Sequence, residues 1–398
     1  MKYPCVKLNN FAKKVNMISS LFLQSDVPDP YLIYENMLNI NPVYWDEPNK
    51  TWAIYSYKHC VEILKNTKTH IPDINPDNVQ KLNTDALYIL NNLTRLSNGV
   101  EHEIAKEITT IIFSKMKSVE IGPVTAALIQ NGLVENKIDW VDSICKKLPV
   151  LILLKSFSFD TNDSDFISKK IETIVKIMLP KKTVEEVNSI NEISEDLFFI
   201  IKKHLSSLAL ESLLSSIAEK HKMTLEQVIK TVVSNLIGLF IQSYDAGRGI
   251  LSNALLQIIQ NKTFSNKKAI EKSVIETLRF DPPIHNTRRI ATEDFFIGES
   301  LIKKNDFILI VLASANRDPE KFENAFEFNI ERSNNFENLT FGIGGHMCLA
   351  KYFSIQLATE ALWLLFDEYK TITILDHNIQ YEPMINARLP KNIWVSIL

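Results

Sequence analysis

The segment from Thr224 to Gln260 constrains the fold more than any other. It is about 37 residues of helical periodicity, a rod of roughly 55 Å at 1.5 Å per residue. Thr224 and Gln227 stand three apart as a capping box, bracketed by Met223 and Val228 as a hydrophobic staple. A rod of that length must cross a whole domain, so the rest of the chain has to pack around it. Its middle breaks the pattern. Gln242-Ser-Tyr-Asp-Ala-Gly-Arg-Gly249 puts two glycines, an acid and an arginine where a buried helix should be apolar, and an interior glycine costs about 1 kcal/mol against alanine. Local rules broken at the centre of a core point to a functional site.

Phe341-Gly-Ile-Gly-Gly-His-Met-Cys-Leu-Ala350 holds three of the chain's ten glycines and leads into an apolar helical run, Ala350 to Phe366. A sulfur at a loop-to-helix turn meets unpaired N–H groups and the positive end of the helix dipole, which lower a thiol's pKa and suit a metal ligand. Gly342, Gly344 and Gly345 would let the main chain approach a flat cofactor closely. Cys5, Cys60 and Cys145 are scattered far from Cys348, so neither zinc nor an iron–sulfur cluster has a second sulfur, and one sulfur ligand argues for haem iron. For the loop taken alone, a buried free cysteine after a glycine-rich turn is the plain alternative.

With 398 residues and 45% hydrophobic content the chain can build a large core. It carries no repeat and no low-complexity linker, which favours one domain over residues 1–398. The net charge of −3, with no basic cluster interleaved with aromatics, argues against nucleic acid. Unpaired cysteine spacing fits a reducing cytoplasm. Met1 to Asn10 has no signal-peptide core and Leu148 to Leu154 is too short to span a bilayer, so no membrane is expected.

Along the chain, Pro42 to Tyr55 reads as a β-hairpin about a turn at Asp46 to Lys50, and Ser56 as the cap of a helix with Cys60, Val61 and Leu64 on one face. Ile71 to Val100 reads as a long loop with one short helix, a length that marks a functional segment. The helix opening at Val100 carries His102 and Lys106 four apart on one face, able to hold an anion, although such a pair is also a common solvated face. Glu276-Thr-Leu-Arg279 is an acid–base pair on a helix that Phe280-Asp-Pro-Pro283 ends. Phe295 to Ile297 and Phe307 to Val311 are β-like runs about a turn at Gly298. The expected fold class is mostly α with small antiparallel β-sheets (α+β).

Glu276-x-x-Arg279, Asn316-Arg-Asp-Pro319 and Phe341 to Cys348, in that order, resemble the cytochrome P450 superfamily, the haem-thiolate monooxygenases, in their soluble bacterial form. The resemblance runs from about Pro42 to the C-terminus. It implies the cytochrome P450 fold as a single large haem domain with haem b, iron protoporphyrin IX. Cys348 falls at the proximal iron ligand and Phe341 at the aromatic beside it. His102, Arg289 and His346 fall at propionate-binding positions, with Lys106 at one more often arginine. Glu276 and Arg279 become a structural pair; their usual third partner, an arginine, falls at Glu327, with Arg332 as a substitute. Ala350 replaces a common glycine.

Aligned on Asn253-Ala-Leu-Leu256, the long helix places Asp245 at the family's acid and Ala246 at its alcohol, above the iron. A second register would put Gly249 and Ile250 there instead. With the alcohol gone, a water held by Asp245 or a hydroxyl of the substrate has to relay protons to bound oxygen. Peroxide-using relatives carry a carboxylate-anchoring arginine in this helix; Arg248 is out of step with it, which implies a surface or ion-pair role. Substrate contacts are expected from Ile71 to Val100, Met178 to Val187, Gln242 to Ala246, Ile284 to Thr287 and Met384 to Asn386, with Gln242, Ile284, His285, Asn286 and Ile385 as candidates. The implied reaction is hydroxylation or epoxidation of a small molecule, a polyketide-like secondary-metabolite intermediate, by a cytoplasmic monomer. Electrons would come from a ferredoxin-type partner, with Lys351 in the docking surface. The missing alcohol keeps open a peroxygenase, a haem dehydratase or isomerase, and a non-catalytic haem-binding relative.

Overall fold

The computed structural model describes residues 19–207 and 210–398; Cys5 and the Met1 to Asn10 start lie outside them. The first part runs α1 (Pro30–Ile40), β1 (Val43–Asp46), β2 (Thr51–Ile54), α2 (Tyr57–Lys65), β3 (Thr69–His70), α3 (Thr84–Asn91), α4 (Gly99–Ser114), α5 (Ile121–Gly132), β4 (Lys137–Asp139), α6 (Leu148–Ser156), α7 (Thr161–Ile174), α8 (Val184–Ser207) and α9 (Glu211–His221). The crossing rod follows as α10 (Leu225–Gln242), a π turn (Ser243–Gly247) and α11 (Arg248–Asn261). Then come α12 (Lys267–Phe280), β5 (Thr287–Ala291), β6 (Phe295–Ile297), β7 (Ser300–Ile302), β8 (Phe307–Ile310), α13 (Leu312–Ala315), α14 (Lys351–Glu368), β9 (Ile372–Ile374) and β10 (Trp394–Ile397).

The rod starts where its capping chemistry says. Thr224 accepts from the Gln227 N–H and the Gln227 side chain accepts from the Thr224 N–H. Its two halves belong to different cores. Val228, Val232, Leu236 and Phe240 pack among Ile89, Ile108, Ile171 and Ile193. Leu251, Ala254, Leu255 and Ile258 pack instead with Ile270 and Val274 of α12 and Ala358 and Leu362 of α14. The π turn lies at the junction, where Gln242, Ser243 and Asp245 to Gly247 keep partly open surface inside an otherwise buried rod. The apolar pattern stops there because no core covers that stretch, and π turns inside helices recur at functional sites.

The β structure departs from expectation in one respect. The five-stranded sheet, in the order β1-β2-β8-β5-β3, is mixed, because β2 and β8 run parallel with Thr51 opposite Phe307. The other sheets, β4-β10-β9 and β6-β7, are antiparallel. Phe295 to Ile297 pairs with Ser300–Ile302 about Gly298, whereas Phe307–Ile310, with three of its four residues buried, takes a central place in the large sheet. Ser56 sits at the N-cap of α2, but its hydroxyl is engaged with His59 Nδ1 at 2.8 Å instead of capping the backbone. Among the described residues no single helix is long and apolar enough to cross a membrane.

Candidate active site

The cysteine loop closes on itself and is braced from behind. The Cys348 N–H donates to the Phe341 carbonyl at 2.9 Å, and Gly342 and Gly344 take φ of +66° and +73°, which side chains rarely adopt. Asn316 accepts from the Leu339 N–H at 2.6 Å and donates to Thr340 Oγ1 at 2.9 Å, and the Thr340 hydroxyl bonds the Leu278 carbonyl of α12. Behind that brace Arg279 grips Glu276 through two bonds, 2.6 and 3.0 Å, and donates to the carbonyls of Asn316, Ala325 and Glu327. Arg332 is the third partner, 3.5 Å from Glu276 Oε1, while Glu327 contributes only its backbone.

Cys348 itself is half-buried, and α14 begins three residues later at Lys351. Burial pushes its thiol above the ordinary value; the Ala350 N–H and the Arg95 charge pull it down without winning. The expectation that the helix terminus lowers this thiol is therefore corrected for the chain by itself: desolvation outweighs one N–H bond and one cation. Phe341 is half-buried beside it, with the Lys351 ammonium 5.9 Å from its ring.

A group of cationic and imidazole side chains gathers on the rim of the loop. His102 faces the Thr94 carbonyl at 2.9 Å through Nδ1 and the Gly345 carbonyl at 3.1 Å through Nε2, and Lys106 also donates to Gly345. The His346 ring lies 3.9 Å from that of His102. Burial, and then the charges of His102, Arg289 and Lys106, push His346 down to about 3. Arg289 is buried and, among the described residues, bonds Thr287 and the Arg288 carbonyl; desolvation lowers it to about 10. This side of the site is short of anions.

Opposite, on the crossing rod, Asp245 and Ala246 belong to the partly open stretch. Burial raises the Asp245 carboxyl, against the pull of Arg248 and Arg95. Arg248 is buried, 3.6 Å from Asp245 and 3.5 Å from Glu382, so it is an internal ion-pair residue and not a surface one. Gly249 and Ile250 are buried, and a Cβ on Gly249 would meet Pro283 at 2.4 Å, so the second register faces protein. Gln242 is partly open, its amide donating to Gly238 at 3.0 Å.

The candidate substrate residues separate. Ile284 and Ile385 are half-buried, and Asn286 is buried and donates to the Ile385 carbonyl at 2.9 Å. His285 is corrected: it is fully buried, with Nδ1 3.0 Å from the Tyr34 hydroxyl and Nε2 3.4 Å from that of Tyr31, which ties α1 to the sheet and leaves no ring nitrogen for a ligand.

Sequence reasoning missed Arg95. Its side chain is exposed, and its charge pulls down both the Cys348 thiol and the Asp245 carboxyl. One signal was available: it is the only arginine before Arg248.

The residues fit a haem. A lone half-open thiol, with no trio of His, Cys, Asp or Glu among the described residues to complete a protein-only metal site, suits an iron that brings its own in-plane ligands. The anion-poor rim of His102, Lys106, Arg289 and His346 has the chemistry for two propionates. Fold and site together fit a haem-thiolate protein. The comparisons agree, the profile of the family described as Cytochrome P450 matching residues 255–380. The biotin biosynthesis cytochrome P450 of Bacillus subtilis (strain 168) is 23% identical over 396 residues, covering 95% of this chain and 98% of that one. Cytochrome P450 119 of Sulfurisphaera tokodaii is 26% identical, covering 79% of this chain and 86% of that one. Among solved structures, CalO2 aligns with a TM-score of 0.81 at 16% identity, covering 95% of this chain and 99% of that one. P450BioI in complex with hexadec-9Z-enoic acid ligated acyl carrier protein aligns at 0.78 and 20% identity, covering 94% and 100%. The chain is thus similar to the cytochrome P450s, monooxygenases that hold haem b through a cysteine thiolate, in its profile match over residues 255–380, in its relatives and in its fold.

Proposed function

We propose that this chain hydroxylates or epoxidises a small organic molecule, a secondary-metabolite intermediate of polyketide type, with electrons from a ferredoxin-type donor in a reducing cytoplasm. The carrying observation is the acid at the junction of the two cores: Asp245, partly open and anchored by Arg248, with Ala246 beside it where an alcohol would stand. Haem, when bound, supplies the iron at which dioxygen is activated, with the Cys348 thiolate favouring heterolysis. His102, Lys106, Arg289 and His346 would hold its propionates. Asp245, whose carboxyl burial pushes upward, holds a proton more readily than a solvated aspartate and presents it to the open stretch. Ala246 has no hydroxyl, so a water on Asp245 or a substrate hydroxyl completes the relay. The free cysteines Cys60, Cys145 and Cys348 support a reducing compartment.

The reduced, carbon-monoxide-bound spectrum tests the ligand: a thiolate-type Soret band is expected for the wild type and its loss in Cys348→Ala, and a band that survives the exchange overturns it. Asp245→Asn is expected to slow oxygen-dependent turnover by roughly 10²-fold. Ala246→Thr is expected to slow or uncouple product formation; unchanged rate and coupling would remove position 246 from the relay. A peroxide-driven reaction is the second reading, favoured by the missing alcohol, and turnover on peroxide alone without an electron donor would establish it.

A further inference from the structure

Arg248 opens α11 directly after the π turn, and its side chain is only 6% exposed. It faces two carboxylates from distant parts of the chain. Asp245, three residues back in the π turn, lies 3.6 Å from Nη2, and Glu382, just before the segment 384–386, lies 3.5 Å from Nη1. Neither contact is closed, since a guanidinium donating to a carboxylate settles at about 2.7–2.9 Å. Its Nε is buried and has no hydrogen-bond partner among the described residues. The guanidinium is thus held between two acids and docked on neither.

The backbone carrying both acids is fixed. The Glu382 N–H donates to the Leu389 carbonyl and the Glu382 carbonyl accepts from the Met384 N–H, each at 2.8 Å. Further along α11, Asn253 donates to the carbonyls of Asp281 and Arg388 at 3.1 and 3.4 Å, which ties that late segment to the rod. On the other side, Gly247 leaves no room before Pro149, which a Cβ would meet at 2.9 Å. Neighbouring polar groups are engaged elsewhere: the Tyr244 hydroxyl donates to Glu172 at 2.6 Å, and Lys146 lies 3.4 Å from the same carboxylate. One guanidinium between two ionised carboxylates leaves a surplus negative charge, and away from bulk water that favours a proton on one of them. Burial raises Asp245; the charges of Arg248 and Arg95 oppose it, and that of Glu382 adds to it.

From this shared guanidinium we infer that Arg248 is the positioning residue for Asp245 and that Glu382 competes for it, so that Asp245 keeps a proton which a closed ion pair would release. The inference rests on the reading of Asp245 as the proton-holding acid, and it gives that acid a store of its own where Ala246 offers no hydroxyl. Haem-loaded protein is first scored by its carbon-monoxide Soret band. The infrared stretch of the bound carbon monoxide, which responds to polarity and charge beside it, is then followed against pH. In the wild type the band is expected to titrate, and Asp245→Asn to abolish the titration. Arg248→Gln removes the cation and should move the midpoint up by about one pH unit or more, whereas Arg248→Lys, which keeps the charge, should move it less. Glu382→Gln leaves the guanidinium to Asp245 alone and should move the midpoint down. Opposite shifts from two partners of one side chain are not what a merely structural role produces. Glu382→Gln, at a partly open position, carries the test by itself if Arg248→Gln does not retain haem. A midpoint unmoved or raised in Glu382→Gln, or moved the same way in both variants, overturns the inference and leaves Asp245 as the acid. A wild-type band that does not titrate, or a titration that Asp245→Asn leaves in place, overturns the acid itself, and a failed Soret band overturns the haem reading.

Discussion

Glu276 and Arg279 are completely buried, and the charges are tolerable only because every donor and acceptor is used: two bonds between them, three carbonyls on Arg279, and the Asn329 N–H on Glu276 at 3.0 Å. Removing one member leaves the other charge without compensation, at a cost of about 3–5 kcal/mol. Glu276→Gln is therefore expected to lower the denaturation midpoint by that order and, because Asn316 links this network to Leu339 and Thr340, to reduce the haem-to-protein ratio as well; full haem content in a destabilised variant would uncouple pair from loop. Residues of this kind were legible in the sequence because their chemistry is tied to fixed offsets: Glu276 with Arg279, His102 with Lys106, Cys348 after its glycines. Arg95 was not, because its 3-10 turn, Thr94–Leu96, is too short to show a period. His285 misled as a polar residue in a promising segment whose ring turns out to be spent on Tyr34 and Tyr31.

The crossing rod shows how a glycine serves an element and not a turn. Gly249 has no space above it: a Cβ would stand 2.4 Å from Pro283 and 2.6 Å from Leu389, both on segments that converge on the rod. Gly249→Ala is expected to cost about 1–3 kcal/mol by overpacking, measured by chemical denaturation of the haem-loaded protein. Gly122→Ala in α5, where the nearest atom is Leu364 Cδ1 at 3.4 Å, is the control and should cost less; equal losses would show that helix propensity, not packing, dominates. The rod's existence and capping were legible because apolar period and caps are local signals. Its division between two cores was not, since both halves carry the same period and only tertiary packing distinguishes them. Ser300–Ile302 escaped for a related reason, being too short to alternate and paired only because Gly298 turns the chain back.

At the scale of the molecule, α1 is clamped to the rest through buried polar groups. Tyr31 donates to Asp281 at 2.9 Å, Gln257 joins the same carboxylate at 3.1 Å, and the Arg317 guanidinium lies 3.4 Å from the Tyr31 ring. His285 belongs to this clamp, and burial, then the charges of Arg388 and Arg317, hold it well below the ordinary imidazole range. The sign follows: the ring stays neutral in the fold and takes a proton in the unfolded chain below about pH 6.5, so its contribution is present above that value and is lost as pH falls. Wild-type stability should fall by up to about 1.4 kcal/mol more per pH unit between pH 6 and 5 than that of His285→Gln, read from denaturation midpoints; parallel curves would count against it. The mixed sheet carries a different consequence. Strands β1 and β2 come early in the chain, but the neighbour that completes them is β8, more than 250 residues later by the pairing of Thr51 with Phe307. At about 5–20 residues per second of synthesis, the hairpin waits on the order of tens of seconds with one edge bare. Its edge protection during translation is therefore a demand on the cell, separate from anything the finished enzyme needs.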